Sequence, residues 1–379
     1  MSASSRAAFA AVILVIGGCA NEPASIRLPQ PAVVEAPAEP RGPLTIAAVG
    51  DIMLGTDYPQ NHLPDDGGAS FLTAATPVLE SADVAFGNLE QVLMDGGEPV
   101  KVCQNPAVCY LFRSPTHYAH HLRAAGFDVM SLANNHARDF GETGRTATMR
   151  ALDAVGIRHS GREGDVASWE QQGLRLALIA FSPTIGSHSL LDVGRAAALV
   201  SGLAMDQDIV IVSFHGGAEG VDATGLPFGE EFYFGEARGN VVKFAHAVVD
   251  AGADIVLGHG PHVPRALEIY KQRLIAYSLG NFATYYGISV AGAKGIAPIL
   301  LATLDEEGRF LCGRIVSYVQ VRPGGPQPDP AGHALELIRA LTEDAFGNRH
   351  LVFADDGTVT PGSSVISGDA EPQCPLTGQ

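Results

Sequence analysis

The run Ser131-Leu132-Ala133-Asn134-Asn135-His136-Ala137-Arg138-Asp139-Phe140-Gly141 sets an amide, an imidazole and a carboxylate directly after an apolar, strand-like segment, residues 127–132. Ends of strands are where α/β proteins hold ligands, so polar side chains grouped there invite a chemical reading. The arrangement recurs. Asp51 follows the apolar residues 44–48, Asn88 and Glu90 follow 83–86, and His215 follows 208–213. Gly258-His259-Gly260-Pro261-His262 closes the segment 254–257. Divalent cations take hard carboxylate oxygens and neutral imidazoles, usually with one carboxylate bridging where two ions sit together. Asp51, Glu90, Asn135, His215, His259 and His262 supply that mixture. Each has a plainer reading on its own: Asp51 after a glycine caps a turn or helix, Asn134-Asn135 forms a turn pair, and the histidines near Gly258 lie in a glycine-rich loop. Their succession at consecutive strand ends makes the metal reading the sharper one, because acids buried together without a cation need costly compensation.

Positioning such groups requires a particular succession of elements. Residues 44–49, 83–86, 127–132, 174–181, 208–214 and 254–257 read as strands, and 71–80, 116–125, 143–155, 193–203 and 236–251 have helical character. Gly126, Gly156 and Gly252 follow helical patterns, where a C-terminal cap favours glycine. Strands alternating with helices predict a layered α/β domain. Beyond His262, strand-like runs at 265–270, 274–278, 299–304 and 310–321 with short turns predict an antiparallel extension of a sheet. Residues 323–330 are rich in Pro and Gly, and 332–346 predict a helix before a loose tail. No internal repeat is evident.

The 379-residue chain is 46% hydrophobic and carries a formal charge of −17. It has ample material for a core, and its charge excludes an extended nucleic-acid partner. Arg6 precedes an apolar stretch, residues 7–16, that is short for a bilayer span. Ile16-Gly17-Gly18-Cys19 resembles a bacterial lipobox, so residues 1–18 are expected to be a signal peptide and Cys19 the lipidated residue, with a Pro/Ala-rich tether over 19–43. The remaining cysteines are Cys103, Cys109, Cys312 and Cys374. An even number in an exported chain favours disulfides. Cys103 and Cys109 flank a short loop and are expected to pair, which leaves Cys312 for Cys374.

Several motifs together resemble a known family. Ala48-Val-Gly-Asp-Ile-Met-Leu-Gly, Phe86-Gly-Asn-Leu-Glu, Phe112-Arg-Ser-Pro, Gly126-Phe-Asp-Val-Met-Ser-Leu-Ala-Asn-Asn-His, His215-Gly-Gly-Ala-Glu, Gly258-His-Gly-Pro-His-Val and Tyr277-Ser-Leu-Gly-Asn-Phe are similar to the capsule synthesis protein CapA family, over about residues 44–322. That family is associated with poly-gamma-glutamate capsule production and resembles calcineurin-like metallophosphoesterases. The resemblance implies a four-layer α/β/β/α sandwich over 44–322 with a C-terminal extension over 323–379. It also implies one or two divalent ions (Mn, Zn, Mg or Fe) held by Asp51, Glu90, Asn135, His215, His259 and His262. Glu90 would take the bridging position, where the superfamily normally has Asp in a Gly-Asp motif. His136 would act as general acid, and Asp139 would orient its imidazole or serve as a helix N-cap.

Asn88, Arg113, Glu219 and Asn281 are the expected substrate-binding residues. For Arg113 a surface ion pair is the plainer role, and for Asn281 a loop-ordering amide. The chain departs from the superfamily pattern in three places, one being that Gly260-Pro261 separates His259 from His262 by one residue more than the Gly-His-x-His form. Met53 replaces the His of Asp-x-His, and a thioether is a poor ligand for hard cations. His215-Gly216-Gly217 lacks the Trp that many such chains carry.

The implied function is an exported, membrane-anchored protein of capsule polymer synthesis or processing. If catalytic, it would hydrolyse a phosphoester or glutamyl amide, with His136 protonating the leaving group. Two rivals stand beside this reading: a non-catalytic subunit that binds anionic polymer or synthase subunits, and a metallophosphoesterase unrelated to capsule.

Overall fold

The computed structural model describes residues 42–101, 110–348, 350–363 and 374. Strand Leu44–Met53 explains the architecture. Side chains alternate across a strand, and here both faces are apolar. Leu44, Ile46 and Ala48 join one core, while Ala47 and Val49 join another. A strand buried on both faces must lie inside a layered structure.

Leu44–Met53 pairs in parallel with Val84–Leu89, which continues through Val129–Ser131 to Arg158–Ser160. On its other side it runs antiparallel to Ile299–Leu304, followed by Phe310–Val316, Thr358–Pro361 and Leu351–Phe353. Asn281–Thr284 pairs with the end of Leu44–Met53 and completes a nine-stranded sheet. The second sheet has seven strands. Its centre is Leu174–Ser182, Ile209–His215 and Ile255–His259, all parallel, with Arg273–Ala276 and Leu267–Tyr270 beyond.

Leu176, Leu178, Ile211 and Leu257 of the second sheet meet Ile46, Phe86 and Val129 of the first in one core. The outer face of the first sheet packs on helices Tyr118–Ala124 and Gly141–Ala154. Phe181, Val212 and Val256 pack on helices Val193–Ala204 and Val241–Asp250. The molecule is therefore the expected four-layer α/β/β/α sandwich, and the ends of its central parallel strands share one edge.

Several elements differ from the sequence reading. The helix expected over 236–251 spans only Val241–Asp250. Gly239 adopts φ +84 and the Asn240 side chain accepts from the Lys243 amide, so the helix starts there. Glu236–Gly239 instead forms a hairpin with Glu231–Tyr233. Of residues 71–80, only Thr76–Leu79 is α-helical, with Pro77 in its first turn.

The expected loose C-terminal tail contains two strands of the nine-stranded sheet. Helix His333–Phe346 and these strands bring Ala334, Leu335, Ile338, Leu351 and Val359 into the inter-sheet core. The segment after 322 thus continues the same body. Cys312 and Cys374 form a disulfide with Cα atoms 5.6 Å apart. Cys19, the tether, and the Cys103–Cys109 pair lie outside the described residues.

The approach of Leu44–Met53 to the Gly280 turn limits what residue 50 can be. A Cβ on Gly50 would stand 2.0 Å from the Gly280 carbonyl oxygen and 2.7 Å from that of Leu279. Backbone cannot yield as a side chain does. Gly50→Ala should therefore destabilise by about 3 kcal/mol, the upper part of the usual overpacking range, read as a lower denaturant midpoint. An unchanged midpoint would contradict this contact.

Candidate metal centre

Because Leu44–Met53 and Val84–Leu89 are parallel neighbours, Asp51 stands in register with Asn88. His215 and His259 end adjacent strands of the second sheet and are likewise in register. The two strand edges face each other, which brings residues 211 positions apart in the chain, Asp51 and His262, to 3.0 Å. Asp51, Glu90 and His262 each offer a ligand atom within 4.8 Å of the others, and all three are buried. His215 Nε2 lies 3.9 Å from Glu90 Oε1, and His136 Nε2 lies 4.0 Å from the same oxygen.

Unpaired atoms test whether a cation fits. Both oxygens of Glu90, Asn135 Oδ1, His215 Nε2 and His259 Nδ1 are buried without a hydrogen-bond partner among the described residues. Buried polar groups are normally satisfied, so a cluster of unpaired polar atoms at one strand edge calls for a missing partner. His259 shows the preparation clearly. Its Nε2 donates to the Val49 carbonyl at 3.1 Å, which leaves Nδ1 as a bare lone pair. An N–H donated to a backbone carbonyl is how ligating histidines are commonly held. Asp51, Glu90 and His262 are thus a buried site able to hold a divalent metal, with His215 Nε2 3.9 Å from Glu90.

The electrostatics agree. Burial pushes Glu90 well above the usual carboxylate range, helped by Asp51 and Glu219 and opposed by His262. Burial also works against ionising Asp51, but the His262 hydrogen bond and the nearby imidazoles outweigh it and hold Asp51 at about 2. His262 is opposed by burial too, yet Glu90 and Asp51 hold its proton up to about 10. That proton occupies the charge position a cation would take. His262 also has φ +60, an uncommon conformation for a side-chain-bearing residue.

The other expected residues fall into distinct places. Asn88 is fully buried; its amide donates to Asp51 Oδ1 at 2.8 Å and its oxygen accepts from Asn134 at 3.1 Å. It positions Asp51. Arg113 takes the ion-pair role. Its guanidinium binds Asp57 at 2.6 Å and the Gly97 carbonyl at 2.5 Å, and lies over the Tyr58 and Phe140 rings. Asn281 accepts from His262 Nδ1 at 3.1 Å and donates to the Lys294 carbonyl, which is the loop-ordering role. Glu219 lies 3.7 Å from His262 and 2.9 Å from Arg238.

Asp139 is not the N-cap of helix Gly141–Ala154, where Phe140 stands. Its Oδ2 is 2.7 Å from His136 Nδ1 and accepts from the Phe112 amide. The Met53 sulfur accepts from the Gly55 amide at 3.3 Å, so it closes its own turn.

Two further residues support the site. Asn134, buried beside Asn135, donates to the Leu89 carbonyl and accepts from the His136 amide, which locks the turn. Arg238, 5% exposed, brings a guanidinium to Glu219 from the hairpin. The only sequence signal for Arg238 was a lone arginine in a stretch that read as helix.

A two-sheet sandwich with a buried carboxylate–imidazole centre across its strand ends defines an α/β protein with a candidate metal centre. The family profile of "Bacterial capsule synthesis protein PGA_cap" matches residues 45–286, and the chain belongs to that family. As a member of it, the chain is an exported, cell-envelope-associated protein. It is 29% identical over 328 residues to the capsule biosynthesis protein CapA of Bacillus anthracis, spanning 79% of this chain and 73% of that one. The PGA biosynthesis protein CapA of Bacillus subtilis (strain 168) is 27% identical over 324 residues, 80% of this chain and 78% of its own. A 5'-nucleotidase precursor from Thermus thermophilus superimposes with a TM-score of 0.41 at 14% identity, over 80% of this chain and 59% of that one. The chain therefore spans under two thirds of that nucleotidase.

Because His262 keeps its proton to about 10, a cation entering at neutral pH must displace it. Apparent affinity for Mn²⁺ should rise between about pH 7 and 9, by about tenfold per pH unit for one released proton. Titration calorimetry in two buffers of different ionisation enthalpy reads the proton directly. Binding heat independent of buffer would refute the exchange.

Proposed function

We propose that this chain is a metal-dependent hydrolase that processes an anionic cell-envelope polymer of the poly-gamma-glutamate type, held at the membrane through lipidated Cys19. One observation carries the hydrolase reading: the fully buried Glu90 carboxylate has neither oxygen hydrogen-bonded among the described residues, yet lies within 4.0 Å of three imidazoles. A carboxylate kept in that state is prepared for a cation. The polymer reading is supported by the family and by relatives named for capsule and PGA biosynthesis.

Asp51, Glu90 and His262 would hold the ion, with Asn135, His215 and His259 as further donors. When bound, it supplies Lewis acidity at the scissile carbonyl or phosphoryl group. The chain's own residues do the rest. Asp139 accepts from His136 Nδ1, so Nε2, turned toward Glu90, is the nitrogen that gives or takes a proton at the leaving group. Burial lowers the proton affinity of His136 while Asp139 raises it, and burial prevails. Phe112, its ring centroid 4.4 Å from that of His136, shields the imidazole from water.

His136→Ala should keep bound metal but lose turnover by about 10²–10⁴-fold, the usual share of a general acid. His215→Ala should lower metal occupancy as well as activity. Metal analysis of the purified variants, with γ-glutamyl peptides and phosphoesters as substrates, separates the two. No activity in the wild type, together with full capsule production by His136→Ala cells, would instead favour a binding subunit. For the anchor, Cys19→Ala should move the protein from the membrane to the soluble fraction; unchanged retention would count against lipidation.

A further inference from the structure

Resting on the polymer reading above, we propose that Arg138, Arg145 and Arg162 form a carboxylate-binding subsite for an extended polyanionic chain, on the same strand edge as the metal centre. Arg138 lies two residues beyond His136. Arg162 follows Arg158–Ser160, the outer strand beside Val129–Ser131. The loop 183–187, which Arg138 and Arg145 reach, follows Leu174–Ser182, next to the strand that delivers His215. The three arginines thus stand at the outer end of the edge that holds Asp51, Glu90 and His215.

They converge on one carboxylate. Glu142 lies 2.8 Å from Arg138, 2.5 Å from Arg145 and 3.4 Å from Arg162. The neighbouring Glu163 is taken by Arg195 at 2.6 Å. Three guanidiniums facing one acid leave a local excess of two positive charges, in a chain whose net charge is −17. A structural ion pair needs no such excess.

The cluster is also preorganised. Arg138 Nη1 donates to the Ile185 carbonyl and Arg145 Nη1 to that of Gly186, both in the loop 183–187. Arg162 Nη2 donates to Thr146, and its Nε has no partner among the described residues. Arg145 is buried and fixes Glu142, whereas Arg138 and Arg162 are about one third exposed. Fixed guanidinium forks suit carboxylates repeated along a chain.

The other side of the metal centre would repel such a chain. There a cavity of about 480 Å³ is lined by Glu219, Asp222, Glu231 and Asp344. Its one arginine, Arg265, is consumed by a bidentate pair with Glu231. A polyanion is therefore directed from the metal centre toward Arg138 and Arg162.

The test is binding of fluorescent poly-γ-glutamate oligomers to the full chain, followed by anisotropy. The double variant Arg138→Gln/Arg162→Gln should weaken binding about tenfold or more, with a shallower dependence on salt. Calorimetric Mn²⁺ affinity should stay unchanged. Arg309→Gln, which removes an arginine paired to Asp305 and Glu307 in a distant turn, should bind as wild type. Should the double variant lose its fold, the two single variants are read in its place.

Equal affinity of wild type and folded arginine variants would overturn the subsite. So would absence of any poly-γ-glutamate binding by the wild type, or polyphosphate of equal length binding as tightly and with the same loss in the variants. None of these outcomes touches the metal centre, whose own failure would appear as absent Mn²⁺ binding.

Discussion

The arrangement of this molecule turns on two carboxylates, Asp51 and Glu90, buried completely where the sheets meet. An isolated charge in such a place would cost several kcal/mol even after relaxation. Glu219 adds a third acid and Arg238 returns one positive charge. The deficit matches a divalent cation, and the proton on His262 fills part of it otherwise. The fold tolerates the acids because hydrogen bonds and opposing charges fix them. Asn88 pins Asp51, His262 bridges Asp51 and Asn281, and Val49 orients His259.

Those contacts need backbone to approach backbone closely. Gly50 meets the Gly280 turn, and Gly260, at φ +116, packs against Gly216. Any side chain at either place would part the strands whose ends form the centre. Packing and chemistry are thus coupled: the inter-sheet core sets the distance between sheets, and that distance sets the separation of Asp51 from His262. Large apolar residues such as Phe86 and Leu257 fill the core immediately beneath the site. They make the low-dielectric floor that magnifies every charge above it.

Much of this was legible because strand ends carry a local signature. Asp51, Asn135, His215 and His259 each follow an apolar run, and parallel strands bring such positions to one edge whatever their separation in sequence. The helices Gly141–Ala154 and Val193–Ala204 were similarly open to reading through periodicity. Less visible were features that depend on tertiary partners. Nothing local marks Arg238 as a neighbour of Glu219, since a hairpin must first fold back to deliver it. Arg113 carries the charge expected of an anion site, but Asp57 and two aromatic rings claim it. Asn88 carried the right polarity for a pocket, yet complete burial turned it into a support for Asp51. The C-terminal strands escaped notice because Leu351–Phe353 and Thr358–Pro361 are too short to show a period.

On the function proposed above, a strongly acidic protein would have to engage a polyanion, and its charge distribution suits that task. Beyond about a Debye length, roughly 8–10 Å at physiological salt, the charge of the rest of the surface is largely screened. Within that distance the local field decides. Along this strand edge the field changes sign, from the acids around Glu219 and Asp344, through the metal centre, to the guanidiniums at Arg138 and Arg162. An anionic chain is therefore repelled over most of the surface and attracted at one end of one edge. General repulsion also opposes non-specific retention, so polymer would leave wherever it is not engaged by the arginines. Binding weak enough for release and directed enough for register is what processing along a polymer requires. On the proposed function, the negative net charge and the small cationic cluster would be two parts of that selectivity.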